Sequence, residues 1–107
     1  MATALIHMPA TAKVGEIIAV RALIAHPMET GFRPGSDGKP LPRDIIRRFE
    51  CRYDGKPVFG ADLHPAMSAN PYLAFFVKAA ATGTLTFTWS GDNGFAQTEQ
   101  KQLTVQP

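Results

Sequence analysis

The sequence holds a single cysteine, Cys51, among its 107 residues, so no disulfide can close within the chain. The redox character of its compartment is therefore not readable from cysteine pairing. Long hydrophobic runs are missing too, since the apolar stretch at 17–20 is stopped by Arg21, and no segment approaches the length needed to span a membrane. Residues 1–16 have neither a basic n-region nor an apolar h-region, so no secretion signal is expected there. Charge of one sign is not concentrated: the formal net charge is only +2, and no run of five or six basic residues marks a nucleic-acid arm. The densest basic stretch holds Arg43, Arg47, Arg48 and Arg52, broken by Asp44 and Glu50. Without an aromatic stacking platform or a recognition-helix pattern beside it, this stretch reads as a solvated strand face or a protein-binding rim, not as a nucleic-acid site. Helical periodicity is also lacking, which leaves strands to build the core.

What is present fits one β domain over residues 1–107. Hydrophobic residues make up 45% and charged residues 19%, far from the composition of a disordered chain, so a packed core is expected. Residues 84–90 alternate strictly, with Leu85, Phe87 and Trp89 on one face and four hydroxyl residues on the other, the pattern of a half-buried strand. Residues 48–53 alternate as well, placing Phe49, Cys51 and Tyr53 inward and Arg48, Glu50 and Arg52 outward. They run into Asp54-Gly55, a dipeptide suited to the positive φ angles of a two-residue hairpin, so 56–63 should return antiparallel. Asp92-Asn93-Gly94 signals a further turn into a last strand that ends in Leu103 and Val105. Strands are also expected over 5–8, 16–24 and 72–79. About seven short strands separated by turn residues favour an all-β, immunoglobulin-like antiparallel sandwich.

Two of these strands carry apolar residues on both sides. Residues 16–24 place Ile18, Val20, Ala22 and Ile24 on one face, yet Ile17, Ala19 and Leu23 on the other; in 72–79, Leu73, Phe75 and Val77 oppose Tyr72, Ala74 and Phe76. A strand apolar on both faces is covered on both faces. In a two-layer sandwich only one face meets the core, so a second protein or a folded-over loop must cover the other. The connection over 26–43, rich in proline and glycine, is longer than most structureless loops, a length associated with function or mobility.

Catalytic and metal chemistry find little support. His7, His26, His64, Cys51, Met8, Met28 and Met67 include the ligand types of a cupredoxin or an iron-binding sandwich. Cys51 nevertheless sits mid-strand with no histidine following it, and the histidines are far apart in sequence. Between Phe49 and Tyr53 the Cys51 thiol is expected to be buried and inert. Ser36, Ser68 and Ser90 occupy no nucleophile elbow, and no phosphate-binding glycine pattern occurs. The acidic residues Glu29, Asp37, Asp44, Asp54, Asp62 and Asp92 lie mostly beside glycine or proline, where they serve turns. No cofactor or metal is implied. A metal-binding or Cys51-dependent redox or sulfur-transfer sandwich stays open as the alternative.

Two segments have an unusual spelling: His26-Pro27-Met28-Glu29-Thr30-Gly31, closing into Lys39-Pro40-Leu41-Pro42-Arg43, and His64-Pro65-Ala66-Met67-Ser68-Ala69-Asn70-Pro71-Tyr72. With Arg48-Phe49-Glu50-Cys51 and the 84–89 strand, the chain resembles the SoxZ family of the thiosulfate-oxidising Sox system from about Pro9 to Val105. That resemblance implies an immunoglobulin-like, non-catalytic subunit of a SoxYZ sulfur carrier complex in the periplasm. Its partner, a SoxY-like protein, carries sulfur intermediates on a cysteine in a glycine-rich C-terminal arm, and other Sox enzymes visit it transiently. This chain ends Leu103-Thr104-Val105-Gln106-Pro107, so it matches the scaffold subunit, exported together with its partner. No covalent chemistry of the family transfers to its residues. The expected site is an interface: Ile17, Ala19, Leu23, Tyr72, Ala74 and Phe76, with His26, Met28 and Arg43 of the 26–43 loop and His64 and Asn70 of the 64–72 segment.

Overall fold

A computed structural model describes residues 3–64 and 69–107. Eight strands are present: β1 (Ala4–His7), β2 (Thr11–Lys13), β3 (Ile17–Ile24), β4 (Ile46–Tyr53), β5 (Lys56–Asp62), β6 (Tyr72–Lys78), β7 (Gly83–Gly91) and β8 (Ala96–Gln106). They form a three-stranded sheet, β1-β3-β6, and a five-stranded sheet, β2-β8-β7-β4-β5. The expected alternations set both layers. On β7, Leu85, Phe87 and Trp89 are fully buried, and on the adjacent β4 Phe49 and Cys51 lie beside Trp89 and Phe87 on the same face while Arg48 and Arg52 point away. From the other sheet Ile18, Val20, Ala22 and Ile24 of β3 and Phe75 and Val77 of β6 close the core.

Phe49 is central to this core, with ring centroids 5.2 Å from Trp89 and 5.8 Å from Phe75. At one side of the sandwich β5 and β6 face each other as the free edges of their sheets, and Phe59 stacks on Phe75 at 4.3 Å. At the other side, β1 and β2 are two halves of one extended stretch that leaves the three-stranded sheet after His7 and joins the five-stranded sheet at Thr11. β2 is an addition to the expected strand set: three residues pairing in parallel with the end of β8, too short to show any periodicity.

The Asp54-Gly55 turn takes φ of +48° and +82°, as its residue types require, and β5 returns antiparallel on β4. Opposite Glu50, Gly60 leaves room for the Arg48 guanidinium, which crosses toward Asp62 and would meet any side chain placed there. Asp92–Gly94 forms a single 3-10 turn between β7 and β8. The 26–43 connection is ordered by its own hydrogen bonds. Glu29 and Asp44 pair by backbone in both directions, at 2.8 and 2.7 Å, and Gly35 N–H donates to the Lys39 carbonyl at 2.7 Å.

Candidate docking face

The outer surface of the three-stranded sheet is apolar. Adjacent strands place Leu5 beside Leu23, Leu23 beside Tyr72, Ala19 beside Phe76 and Ile17 beside Lys78, so their side chains share one face. Phe76 is 72% exposed, Ile17 59% and Tyr72 55%. Of the seven large apolar residues exposed among the described residues, four stand here (Leu5 is the fourth), which concentrates the exposed apolar surface on one sheet. The two-sided patterns of β3 and β6 thus have a structural counterpart, and no loop among the described residues covers that face. Ile17, Ala19, Leu23, Tyr72, Ala74 and Phe76 all lie on it. Leu5, His7, Arg21 and Lys78 share it as well. The signal for Leu5 and His7 lay in the alternation of β1, which was too short to weigh alone.

Its electrostatics are one-sided. β1, β3 and β6 contain no Asp or Glu, while Arg21 and Lys78 lie on the outer face with no ion pair among the described residues. The other sheet differs: Arg48 pairs with Asp62 at 3.0 Å, and Arg52 with Glu50 at 2.6 Å.

The loop residues lie at one end of the sandwich, where β3 and β5 finish and β4 and β6 begin. His26 and Met28 are only 5% and 4% exposed, so their side chains support the loop from inside instead of presenting themselves to a partner. The Met28 N–H donates to His26 Nδ1 at 3.0 Å, and the Ile46 N–H meets Met28 Sδ at 3.3 Å. The His26 N–H donates to Asn70 Oδ1 at 3.0 Å, and the Asn70 N–H donates to the His26 carbonyl at 2.8 Å, locking the loop to the 69–71 segment. His26 Nε2 stands 3.8 Å from Asp44. Arg43 donates to Asp92 through Nε and Nη2, at 2.8 and 2.9 Å. That contact, with the Ile45 N–H and the nearby Arg47, holds the Asp92 carboxyl below the usual carboxylate range despite partial desolvation. His64 is exposed at the same end; Pro65, Ala66, Met67 and Ser68 of the 64–72 segment lie outside the described residues. Arg43, His64 and Asn70 therefore border the short end of the molecule, and the apolar face forms its broad side.

Cys51 sits mid-strand on β4 opposite Phe59 and Phe87, fully enclosed, and burial pushes its thiol up to about 12. A thiol so placed is not ionised near neutrality and is shielded from reagents. Among the described residues no three His, Cys, Asp or Glu side chains converge as a metal site would need.

Fold and face together define an immunoglobulin-like β-sandwich with one sheet face left open and apolar. The chain belongs to the SoxZ family: the family model described as sulphur oxidation protein SoxZ matches residues 6–102, which places the chain in the Sox sulfur-oxidation system. No curated protein sequence matches it significantly. Among solved structures it is similar to a superoxide reductase (neelaredoxin) from Ignicoccus hospitalis, with a TM-score of 0.75 and 20% identity over 97% of this chain and 80% of that one. It is similar also to the sulfur carrier protein SoxY from Chlorobium limicola f thiosulfatophilum, with a TM-score of 0.69 and 15% identity over 97% of this chain and 79% of that one. At such identities the likeness establishes the shared sandwich fold.

Proposed function

We propose that this chain is the non-catalytic subunit of a SoxYZ-type sulfur carrier complex, and that it binds a SoxY-type protein through the outer face of β1, β3 and β6. The observation that carries the reading is that face: exposed Leu5, Ile17, Tyr72 and Phe76 in a continuous cross-strand array, without a carboxylate, in a member of the SoxZ family. An apolar face of this kind is stable in water only at a cost, and burial against a partner recovers roughly 25 cal/mol per Å² of apolar surface before the costs of association.

In this reading the partner carries the sulfur intermediates of thiosulfate oxidation on its C-terminal cysteine arm. The present chain holds that partner in a heterodimer or higher assembly and helps present it to other Sox enzymes, with the loop end around Arg43, His64 and Asn70 free for transient contacts. Export to the periplasm would occur in company with the partner. The competing reading, sulfur transfer by Cys51, is opposed by the enclosure of that thiol and its raised pKa.

Co-expression with the SoxY-type protein tests the proposal. A tagged copy of this chain should retain its partner through purification, and the double substitution I17E/F76E should release it while leaving the circular dichroism unchanged. Retention of the partner by the double variant would assign the contact to another surface. Intact-mass analysis after thiosulfate exposure should find adducts on the partner alone; a persistent adduct on Cys51 would favour the sulfur-transfer reading.

A further inference from the structure

At the end of the sandwich remote from the 26–43 loop, the open seam between the free edges of β5 and β6 widens into a pocket of about 310 Å³. It is lined by Tyr53, Asp54, Lys56, Val58, Lys78, Ala80 and Ala81. Its walls are mainly apolar. Its cations are Lys56 and Lys78, and neither has an ion pair among the described residues. It also holds one carboxylate, Asp54, whose Oδ1 accepts the Thr84 N–H at 2.9 Å. The Tyr53 hydroxyl is likewise satisfied by the backbone of Ala81.

The arginines of the five-stranded sheet and the adjoining loop contrast with this pair. Arg43, Arg47, Arg48 and Arg52 each face a carboxylate of this chain. Arg21 and Lys78 on the apolar face and Lys56 across the seam have no ion pair among the described residues, a state they share with Lys13, Lys39 and Lys101 elsewhere on the molecule. Lys78 belongs to both features. It lines the pocket and stands beside Ile17 in the cross-strand array, so the pocket continues the apolar face around the β6 edge.

We infer that this pocket receives an acidic segment of the protein partner, with a carboxylate held between Lys56 and Lys78 and the adjoining apolar side chains resting on Val58, Ala80 and Ala81. The inference rests on the docking reading above and deepens it. The broad face supplies apolar contact, and the pocket selects a partner whose chain carries negative charge where it turns past the end of β6. Opposite charge at such a rim accelerates encounter and rejects partners bearing positive charge there, and its effect declines as salt rises.

The test uses the purified chain and its SoxY-type partner, with affinity measured at about 0.05 M and about 0.5 M salt, on either side of the strongly screened regime. K56E/K78E should weaken binding more than about tenfold at low salt and flatten the salt dependence, with K56A/K78A giving a smaller loss of the same sign. K13E/K101E makes the same change of net charge on the opposite edge, in β2 and β8, and should leave affinity within about threefold of the parent. Equal losses from the two charge reversals would overturn the inference. So would loss of binding in F76E with K56E/K78E unaffected, an outcome that would leave the docking face intact. If neither F76E nor K56E/K78E altered binding, both readings would fall. Sodium sulfate titrated into the isolated chain supplies the remaining arm: shifts at the pocket amides together with unchanged partner affinity in K56E/K78E would make the occupant a small anion and overturn the assignment to a protein segment.

Discussion

The outer faces of the two sheets are made by the same alternation rule and serve opposite ends. On the five-stranded sheet the outward positions are Thr84, Thr86, Thr88 and Ser90 of β7, Thr98, Gln100 and Gln102 of β8, and the Arg48, Glu50 and Arg52 row of β4. These groups satisfy one another: the Thr84 hydroxyl donates to Gln102 at 2.9 Å, and Arg48 and Arg52 both approach Glu50. On the three-stranded sheet the outward positions are mostly aliphatic and aromatic, and Arg21 and Lys78 there have no ion pair among the described residues. One face is finished for water and the other is left open and apolar. The difference shows that strand pattern alone says which residues point out; their composition says whether outside means solvent.

The comparison can be broken or sharpened at several strengths. The largest effect should come from adjacent residues on β6. Phe75→Ala removes the ring that stacks on Phe59 and packs on Phe49, and should destabilise the fold by about 3–5 kcal/mol in urea unfolding. Phe76→Glu, one residue along on the open face, should leave the urea midpoint nearly unchanged. Its cost belongs to association: about 2 kcal/mol or more in partner affinity, roughly thirtyfold, measured by titration calorimetry. Thr86→Glu on the polar face should leave that affinity unaltered, and an equal loss there would erase the distinction between the faces.

Two smaller effects are read through pH. Because Cys51 in the fold holds its proton up to about 12, the chain gains nothing when the unfolded thiol ionises. Stability from this group is complete below the ordinary thiol range and is lost as pH climbs from there toward about 12. Cys51→Ala should flatten that alkaline decline in a series of denaturant titrations. Asp92 has the opposite sign. Its carboxyl is held low chiefly by Arg43, so its contribution is present above the usual carboxylate range and lost as acid protonates it in the fold. Asp92→Asn should remove this acid sensitivity, and the difference should shrink in high salt because the Arg43 side of the pair is exposed to solvent. The smallest change is expected on the finished face, where Thr88→Val should shift stability by about 0.5 kcal/mol or less, since Thr88 and Thr98 are only 3.5 Å apart at an exposed site.

Much of this architecture is legible in the sequence itself. The period-2 runs of β4 and β7, the Asp54-Gly55 hairpin and the double-sided patterns of β3 and β6 are local properties, and the face bearing Ile17 and Phe76 follows from them directly. What remained hidden depends on contacts far apart in the chain. β2 exists because β8 offers it an edge. His26 and Met28 were expected among the partner-binding residues, yet they are buried because Asn70, 44 residues on, fastens the loop and because Ile46 meets the methionine sulfur. The pocket at Lys56 and Lys78 arises where two sheet edges diverge, a meeting for which neither strand carries a sign.

The passage of the N-terminal stretch from one sheet to the other gives the sandwich a bound spine along the β1–β2 side. Along the opposite side, at the middle of the strands, the stacked rings of Phe59 and Phe75 join the two leaves. Partial opening should therefore swing about that spine, and deuterium should reach the amides of β5 and β6 before those of β3 and β8.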